Sequence, residues 1–529
     1  MDERVLDAQR WVNATYSGIA GYDRCPENGK TNWATMYSLT QGLQHELGIQ
    51  ELSHAFGPTT MSKVDARGGV GPGEQNKNIV NIIKCAFYCK GYPGGDLDGI
   101  WRSSPPFGPQ QDAVAGSLYA MTDNMGIGKQ ERLNAKLFKA LLTMDAYVLV
   151  AGGDPEVRKI QQWLNGRYWR RSFATLIPTE GHYSRDVQKL LMKALQSEFG
   201  IADASVNGNF GPATQRQLAA HILKPGDSGV LVELLSAACV FNGAVPRGEG
   251  MVHTMFKSTF DDKLAKYIQA FQAFSLLPVT NRVDYATWCQ LLVSTGDPNR
   301  AAHACDTRFT ITESLAHSLV RSGYRVVGRY LDEPPGGKLD KKLKDGELHA
   351  IFAGNMRVFP IWQYNARDLI DFSFESGWEH GNKAHDRMVY YGFNPGAIVY
   401  FSVDHDATDP EIDSNIIPYF RGVQAALASR GHAYRAGVYG CRNVCSRGSE
   451  QTYTVSSFVS GMSWGFSGNL GFPLPYNWSF NQIQEVRYSA DSGKEIDLDR
   501  DVHRTKIDPG IGPDGVGGHT PAQLEDTLA

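Results

Sequence analysis

Two hydrophobic rhythms divide the chain near residue 300. Upstream, apolar residues recur three and four apart, as in Val187, Leu190, Leu191 and Leu195, or in Tyr267, Ile268, Phe271 and Phe274. That spacing places them on one face of a helix. Downstream, runs of β-favouring residues alternate with amphipathic helical stretches. The pattern predicts strands over 304–309, 324–331, 358–363, 397–403 and 436–439, with short strands near 462–465, 480–485 and 495–498. Helices are predicted over 312–322, 379–391 and 411–430. Alternating strand and helix in about 200 residues predicts a parallel-stranded, TIM-like α/β barrel.

The helical half repeats itself. Residues 5–16 align with 157–168, pairing Trp11, Asn13 and Tyr16 with Trp163, Asn165 and Tyr168, and 43–49 align with 195–201 at the same offset. Phe56-Gly57-Pro58-Thr59-Thr60 matches Phe210-Gly211-Pro212-Ala213-Thr214 at a slightly longer one. A tandem duplication is the simplest explanation. Gly153-Asp154-Pro155 and Gly296-Asp297-Pro298 punctuate the ends of the two copies, since Asp-Pro favours turn initiation. The expected organisation is a first helical copy over 1–154, a second over 155–298, the barrel over 299–505 and a flexible Gly/Pro-rich tail over 506–529.

Each copy reads as two smaller helical units, in which a helix runs into an Asn-Gly or Asp-Gly turn and a Phe-Gly-Pro corner opens the next helix. The run Asn207-Gly208-Asn209-Phe210-Gly211-Pro212-Ala213-Thr214 resembles the small three-helix peptidoglycan-binding domain family. A weaker version, Asp98-Gly99-Ile100-Trp101 followed by Phe107-Gly108-Pro109, marks another unit. The resemblance implies two to four wall-binding modules, with Phe107 and Phe210 at the best candidate glycan sites.

Composition narrows the partners. The chain has 529 residues, 42% hydrophobic and 20% charged, the make-up of ordinary globular protein. A net charge of -4 gives no basic field for nucleic acid. The eight cysteines lack zinc-knuckle spacing, and buried thiols are expected for most of them. No metal constellation or cofactor motif is present. No run reaches the roughly 18 apolar residues of a membrane span, and no signal peptide is visible at the N-terminus, so a soluble protein is expected.

The candidate chemistry lies at strand ends. In 397–406 a buried strand leads to Asp404 and Asp406, with Ser402, Asp404 and Asp406 expected on one face. Asp306 ends the first barrel strand, and Asp497 lies on the last one, where Ile496 and Leu498 are expected to face out and Asp497 and Asp499 in. Parallel barrel strands bring their C-terminal ends to one mouth, so these acids can meet. Paired carboxylates cleave glycosidic bonds, one as acid and one as base or nucleophile. Tyr330, Trp362, Tyr364, Tyr439 and Trp464, near strand ends, suit the apolar faces of sugar rings.

Through Cys305-Asp306-Thr307, residues 327–331, 359–363 and 398–406, Gly437-Val438-Tyr439 and Ile496-Asp497-Leu498, the region 302–504 resembles an actinobacterial glycoside-hydrolase-like domain of unknown function, itself similar to the family-25 lysozymes. The resemblance implies catalytic positions at Asp306, Asp404, Asp406 and Asp497. Asp406 is implied as general acid, although the lysozymes carry a longer Glu there. The implied function is peptidoglycan hydrolysis at the cell wall or outside the cell, as by a lysin or an injected effector. A non-catalytic glycan-binding protein with a degenerate barrel is the alternative.

Two competing motifs fail on context. Gly461-Met462-Ser463-Trp464-Gly465 fits a serine-hydrolase elbow, but the glycines and prolines after it forbid the required helix. The fingerprint in 510–515 has no strand before it or helix after it.

Overall fold

The computed structural model describes residues 1–103 and 114–517. The chain divides into two compact units, Met1–Asn209 and Phe210–Ala529.

The first unit is helical, from Glu3–Tyr16 through Arg185–Glu198. Several of its helices begin at side-chain caps, with Asp2 and Asp154 accepting from the first-turn amides of Glu3–Tyr16 and Pro155–Tyr168. Buried amides then pin the connections. Gln9 Oε1 accepts from the Gly29 amide at 2.8 Å, and Gln161 Oε1 from the Gly181 amide at 2.9 Å. Asn13 donates to and accepts from the Cys25 backbone at 2.9 and 3.1 Å, and Asn165 does the same with Ile177 at 2.9 and 3.0 Å. Tyr16 donates to Glu46 at 2.9 Å and Tyr168 to Glu198 at 2.7 Å. Gln44 and Gln196 each accept from a loop amide, Ser53 at 2.8 Å and Asn207 at 3.0 Å.

The second unit opens with helices Pro212–Ala220 and Val230–Phe241, a hairpin of β1 (Val245–Arg247) and β2 (Gly250–Val252), and helices Asp262–Phe274 and Tyr285–Leu292. Gln272 accepts from the Thr280 amide at 3.2 Å and donates to the Arg282 carbonyl at 2.7 Å. The residues that follow are bound to the strands beyond them. Ser294 donates to the Gly461 carbonyl at 2.6 Å, and Arg500 donates to the Pro298 and Arg300 carbonyls at 2.6 and 2.7 Å.

Eight strands then close into a barrel: β3 (Ala304–Asp306), β4 (Val326–Tyr330), β5 (Arg357–Trp362), β6 (Ile398–Ser402), β7 (Arg435–Gly440), β8 (Ser457–Val459), β9 (Trp478–Ser489) and β10 (Glu495–His503). Strands β3 to β9 are parallel in sequence order, with helices on the crossovers between β3 and β8. Strand β10 departs from the expected all-parallel arrangement, running antiparallel to both β9 and β3. A short hairpin joins β9 to β10, and such a connection can only make an antiparallel pair. The sixth barrel strand is Ser457–Val459 rather than the expected 462–465, where Gly461 and Gly465 flank a turn.

Phe359, Tyr400, Phe458 and Phe480 fill the barrel interior. Phe359 and Phe480 stack at 4.0 Å, and Phe480 stacks on His503 at 4.7 Å. Gly328 makes this packing possible, since a Cβ there would lie 2.4 Å from Phe359 and 2.8 Å from the Asp306 Cβ. The tail expected to be a flexible extension is instead docked as far as it is described. Tyr400 donates to the buried Asp508 carboxylate at 2.7 Å, Ile511 bridges to Val358, and Val516 bridges to Phe393. Its Gly and Pro residues shape a strap, with Gly510 at φ 73° receiving Arg357 on its carbonyl.

All eight cysteines are free thiols. Among the described residues no helix is long and apolar enough to cross a membrane, and no group of three His, Cys, Asp or Glu residues is placed to hold a metal ion.

Candidate active site

The barrel mouth holds two cavities, of about 630 and 260 Å³, that share Asp306, Tyr330, Gln363, Arg367 and Asp499 in their walls. Asp306 ends β3, and the β10 register sets Asp499 directly opposite it. Paired residues of an antiparallel ladder project to the same side, so both carboxyls enter the barrel. One amide nitrogen, Gln482 Nε2, donates to Asp306 and to Asp499 at 2.9 Å each. The other end of that amide accepts from the Tyr439 hydroxyl at 3.0 Å.

Burial raises Asp306 above the usual carboxylate range. Asp499 is raised by burial and then by the neighbouring charge of Asp306. Two acids this close cannot both ionise cheaply, so the pair retains a proton where isolated carboxyls have lost theirs. One step deeper along β10, Asp501 is fully buried with neither oxygen hydrogen-bonded. Burial, followed by the charges of Asp306 and Asp499, pushes it well up.

Strand β6 supplies the facing acid. Ser402 and Asp404 line the smaller cavity, as their shared face requires. Asp404 accepts from Arg367 Nε at 3.3 Å, and burial raises it although Arg367 pulls the other way. Asp406 does not join it. The strand ends at Ser402 and its alternation ends with it. Asp406 is exposed, accepts the amide and hydroxyl of Ser467 at 2.7 and 2.8 Å, and lines neither cavity.

Asp497 is exposed on the rim of the larger cavity, where its carbonyl accepts from Thr307 at 2.7 Å. On the last strand it is therefore Asp499, not Asp497, that meets the central acids. Tyr330 and Tyr439 line the mouth as expected. Trp362 does not, because Phe359 and Ile361 take the inner face of β5 and leave the indole outside, buried and stacked on Tyr364 at 4.6 Å. Tyr364 is turned away to donate to Asp332. Trp464, 74% exposed, lies in the loop after β8, outside both cavity walls. In the helical modules, Phe210 is half-buried just before the Gly211 cap of Pro212–Ala220, and Phe107 lies outside the described residues.

Several wall residues escaped sequence reasoning, Arg367, Gln482, Glu485 and Lys341 among them. Gln482 and Glu485 both reach the mouth because β9 carries an extra residue between them, the register passing from Gln482 opposite Asp501 to Gln484 opposite Arg500. A β-bulge resets the inside-outside alternation, which a period-two reading of the sequence cannot follow. Lys341, on the loop after β4, carried no pattern at all.

Behind the mouth, Arg329 and Glu347 form a fully buried ion pair at 2.7 Å. Arg329 also donates to the Thr307 carbonyl at 2.6 Å, and Glu347 accepts the Ile311 and Lys344 amides at 2.8 and 2.9 Å. The pair thereby fixes the loops after β3 and β4, which build the larger cavity.

The Rv2525c-like, glycoside hydrolase-like domain family matches residues 317–503, and the FadG/YbfG, PGDB-like domain family matches residues 150–292. Fold and site thus define a glycoside hydrolase-like barrel preceded by helical modules. The chain is 42% identical over 506 residues to the uncharacterized protein FadG of Bacillus subtilis (strain 168), covering 95% of this chain and 85% of the relative. It is 38% identical over 511 residues to the uncharacterized protein YbfG of the same strain, covering 95% and 67%. The chain belongs to the FadG/YbfG family.

Among solved structures, the Mycobacterium tuberculosis Tat-secreted protein Rv2525c in complex with L-tartrate aligns at 19% identity and a TM-score of 0.33, over 39% of this chain and 98% of that one. An uncharacterized B. stearothermophilus protein aligns at 15% identity and 0.28, over 39% and 96%.

Proposed function

We propose that the barrel is a peptidoglycan hydrolase of the muramidase type, with a TIM-like catalytic fold held on the wall by duplicated N-terminal binding modules. The observation that carries this reading is the Asp306–Gln482–Asp499 bridge at the mouth, with Asp404 in the same cavity wall. A carboxyl pair that keeps its proton is suited to protonate the leaving glycosidic oxygen, while a neighbouring carboxylate stabilises or attacks the anomeric carbon. In this assignment Asp306 and Asp499 share the acid role and Asp404 is the stabilising carboxylate. Tyr330 and Tyr439 offer ring faces to the sugar. Asp497 and Trp464 meet the strand at the rim.

The hydrogen bonds of Gln9, Asn13 and Tyr16, repeated in the second copy by Gln161, Asn165 and Tyr168, support the duplication. Tethering through such modules raises the effective concentration of the barrel at its polymer.

Incubation with purified peptidoglycan tests the reading. New reducing ends should appear with the wild type, and Asp404→Asn and Asp306→Asn should each reduce them by at least about 100-fold. Release of no reducing ends alongside tight pelleting with walls would instead establish a glycan-binding protein. The displacement of Asp406 onto Ser467 is the observation favouring that second reading.

A further inference from the structure

Acids predominate where β3, β9 and β10 wall the larger cavity, with Asp306, Glu485, Asp497 and Asp499, whereas the loops after β4 and β5 contribute Lys338, Lys341 and Arg367 together with Glu333 and Asp368. Lys341 is the unusual member. It is only 7% exposed, yet its ammonium has no carboxylate partner among the described residues. It donates to Gln363 Oε1 at 3.2 Å and lies 4.5 Å from the centroid of the Tyr330 ring.

An ammonium has three donors, so the protein leaves part of this one unfilled. Glu333, an acid of the same wall, makes no ion pair with Lys341, and its Oε1 accepts from the Leu339 and Asp340 amides at 2.8 and 3.1 Å. By contrast, the buried Lys84 is paired with Asp98 at 2.8 Å. Burial lowers Lys341 to about 8, although the charges of Glu333 and Asp404 pull the other way. A neutral sugar needs hydrogen bonds and ring faces, not a desolvated positive charge. An anion arriving with the ligand offsets that desolvation. An ammonium beside an aromatic ring suits a carboxylate on a sugar ring, the charge meeting the anion and the ring face meeting the sugar.

We propose that Lys341, over Tyr330 and beside Arg367, forms a subsite for a sugar bearing a free carboxylate. This rests on the reading of the cleft as a glycan site. It adds that the preferred ligand is acidic, such as a muramic acid whose lactyl group carries no peptide.

The test is calorimetric titration of the full chain with two probes, checked for integrity afterwards. One is a peptide-free tetrasaccharide of alternating N-acetylglucosamine and N-acetylmuramic acid, and the other is the same compound with its carboxylates converted to amides. The wild type should bind the free acid about ten-fold more tightly, the loss of one charge-assisted contact. Lys341→Gln should bind both alike, and Lys341→Arg, which keeps the charge, should retain most of the preference. Equal binding of both probes by the wild type overturns the carboxylate subsite and leaves the glycan cleft standing. A preference that survives in Lys341→Gln also overturns it, and binding of neither probe overturns both readings.

Discussion

Asp306 and Asp499 are opposite neighbours on the β3–β10 ladder and accept from the same Gln482 nitrogen at 2.9 Å. Their proton affinity is therefore a property of the pair, and changing Gln482 moves it. The amide donor favours the ionised form of Asp306, so Gln482→Met should raise the pair further. If the pair supplies the catalytic proton, activity falls as pH rises through the pair's titration. The alkaline limb of the rate profile should then move to higher pH in Gln482→Met, even as the maximal rate drops. A limb that stays in place would remove the pair from the acid role.

Asp501 supplies a stability test independent of activity. A carboxyl raised in the folded chain binds its proton more tightly there than when unfolded, so its contribution is present below about pH 4 and is lost as pH rises toward the folded value. Each such acid costs about 1.4 kcal/mol per pH unit across that window. Asp501→Asn should flatten the decline that sets in as pH rises above about 4, measured by denaturant unfolding at several pH values. The variant's advantage over the wild type should be larger at the higher pH.

The Arg329–Glu347 pair should fail badly when halved. Glu347→Ala leaves a buried guanidinium with no counter-charge and two loop amides without their acceptor. A loss of about 3–5 kcal/mol is expected. Replacing both residues together, with Met and Leu, should recover much of it, and unfolding curves of the two variants and the wild type decide the matter.

The helical amide clamps predict matched penalties. Asn13→Ala strands the Cys25 amide and carbonyl, and Asn165→Ala does the same to Ile177. Each should cost about 1–3 kcal/mol. Wall pelleting of the two variants, measured below their unfolding temperatures, separates a loss of fold from a loss of glycan contact.

Much of the barrel was legible because buried parallel strands write themselves as apolar runs, and 397–403 is the clearest of them. Within strands, parity held. Tyr400 and Ser402 share the inner face of β6, and Ile496 and Leu498 on β10 are buried. Legibility failed where a strand stopped or slipped. Asp406 lies past the end of β6, Trp362 falls on the outer parity of β5, and the bulge in β9 brought Gln482 and Glu485 to the same mouth against a simple alternation. Short strands such as Ser457–Val459 carry too few residues to show a period. Lys341 belongs to a loop, whose position is set by tertiary contacts such as those of Arg329 rather than by local pattern.

The docked strap from Asp508 to Val516 has a consequence for how a polymer can meet this molecule. With Tyr400 bonded to Asp508 beneath the aromatic stack, the barrel is a cup rather than a tube. A long chain cannot thread it. On the proposed reading, a glycan would lie across the rim and dip one residue toward the acids, and the cut ends would leave by the opening through which they came.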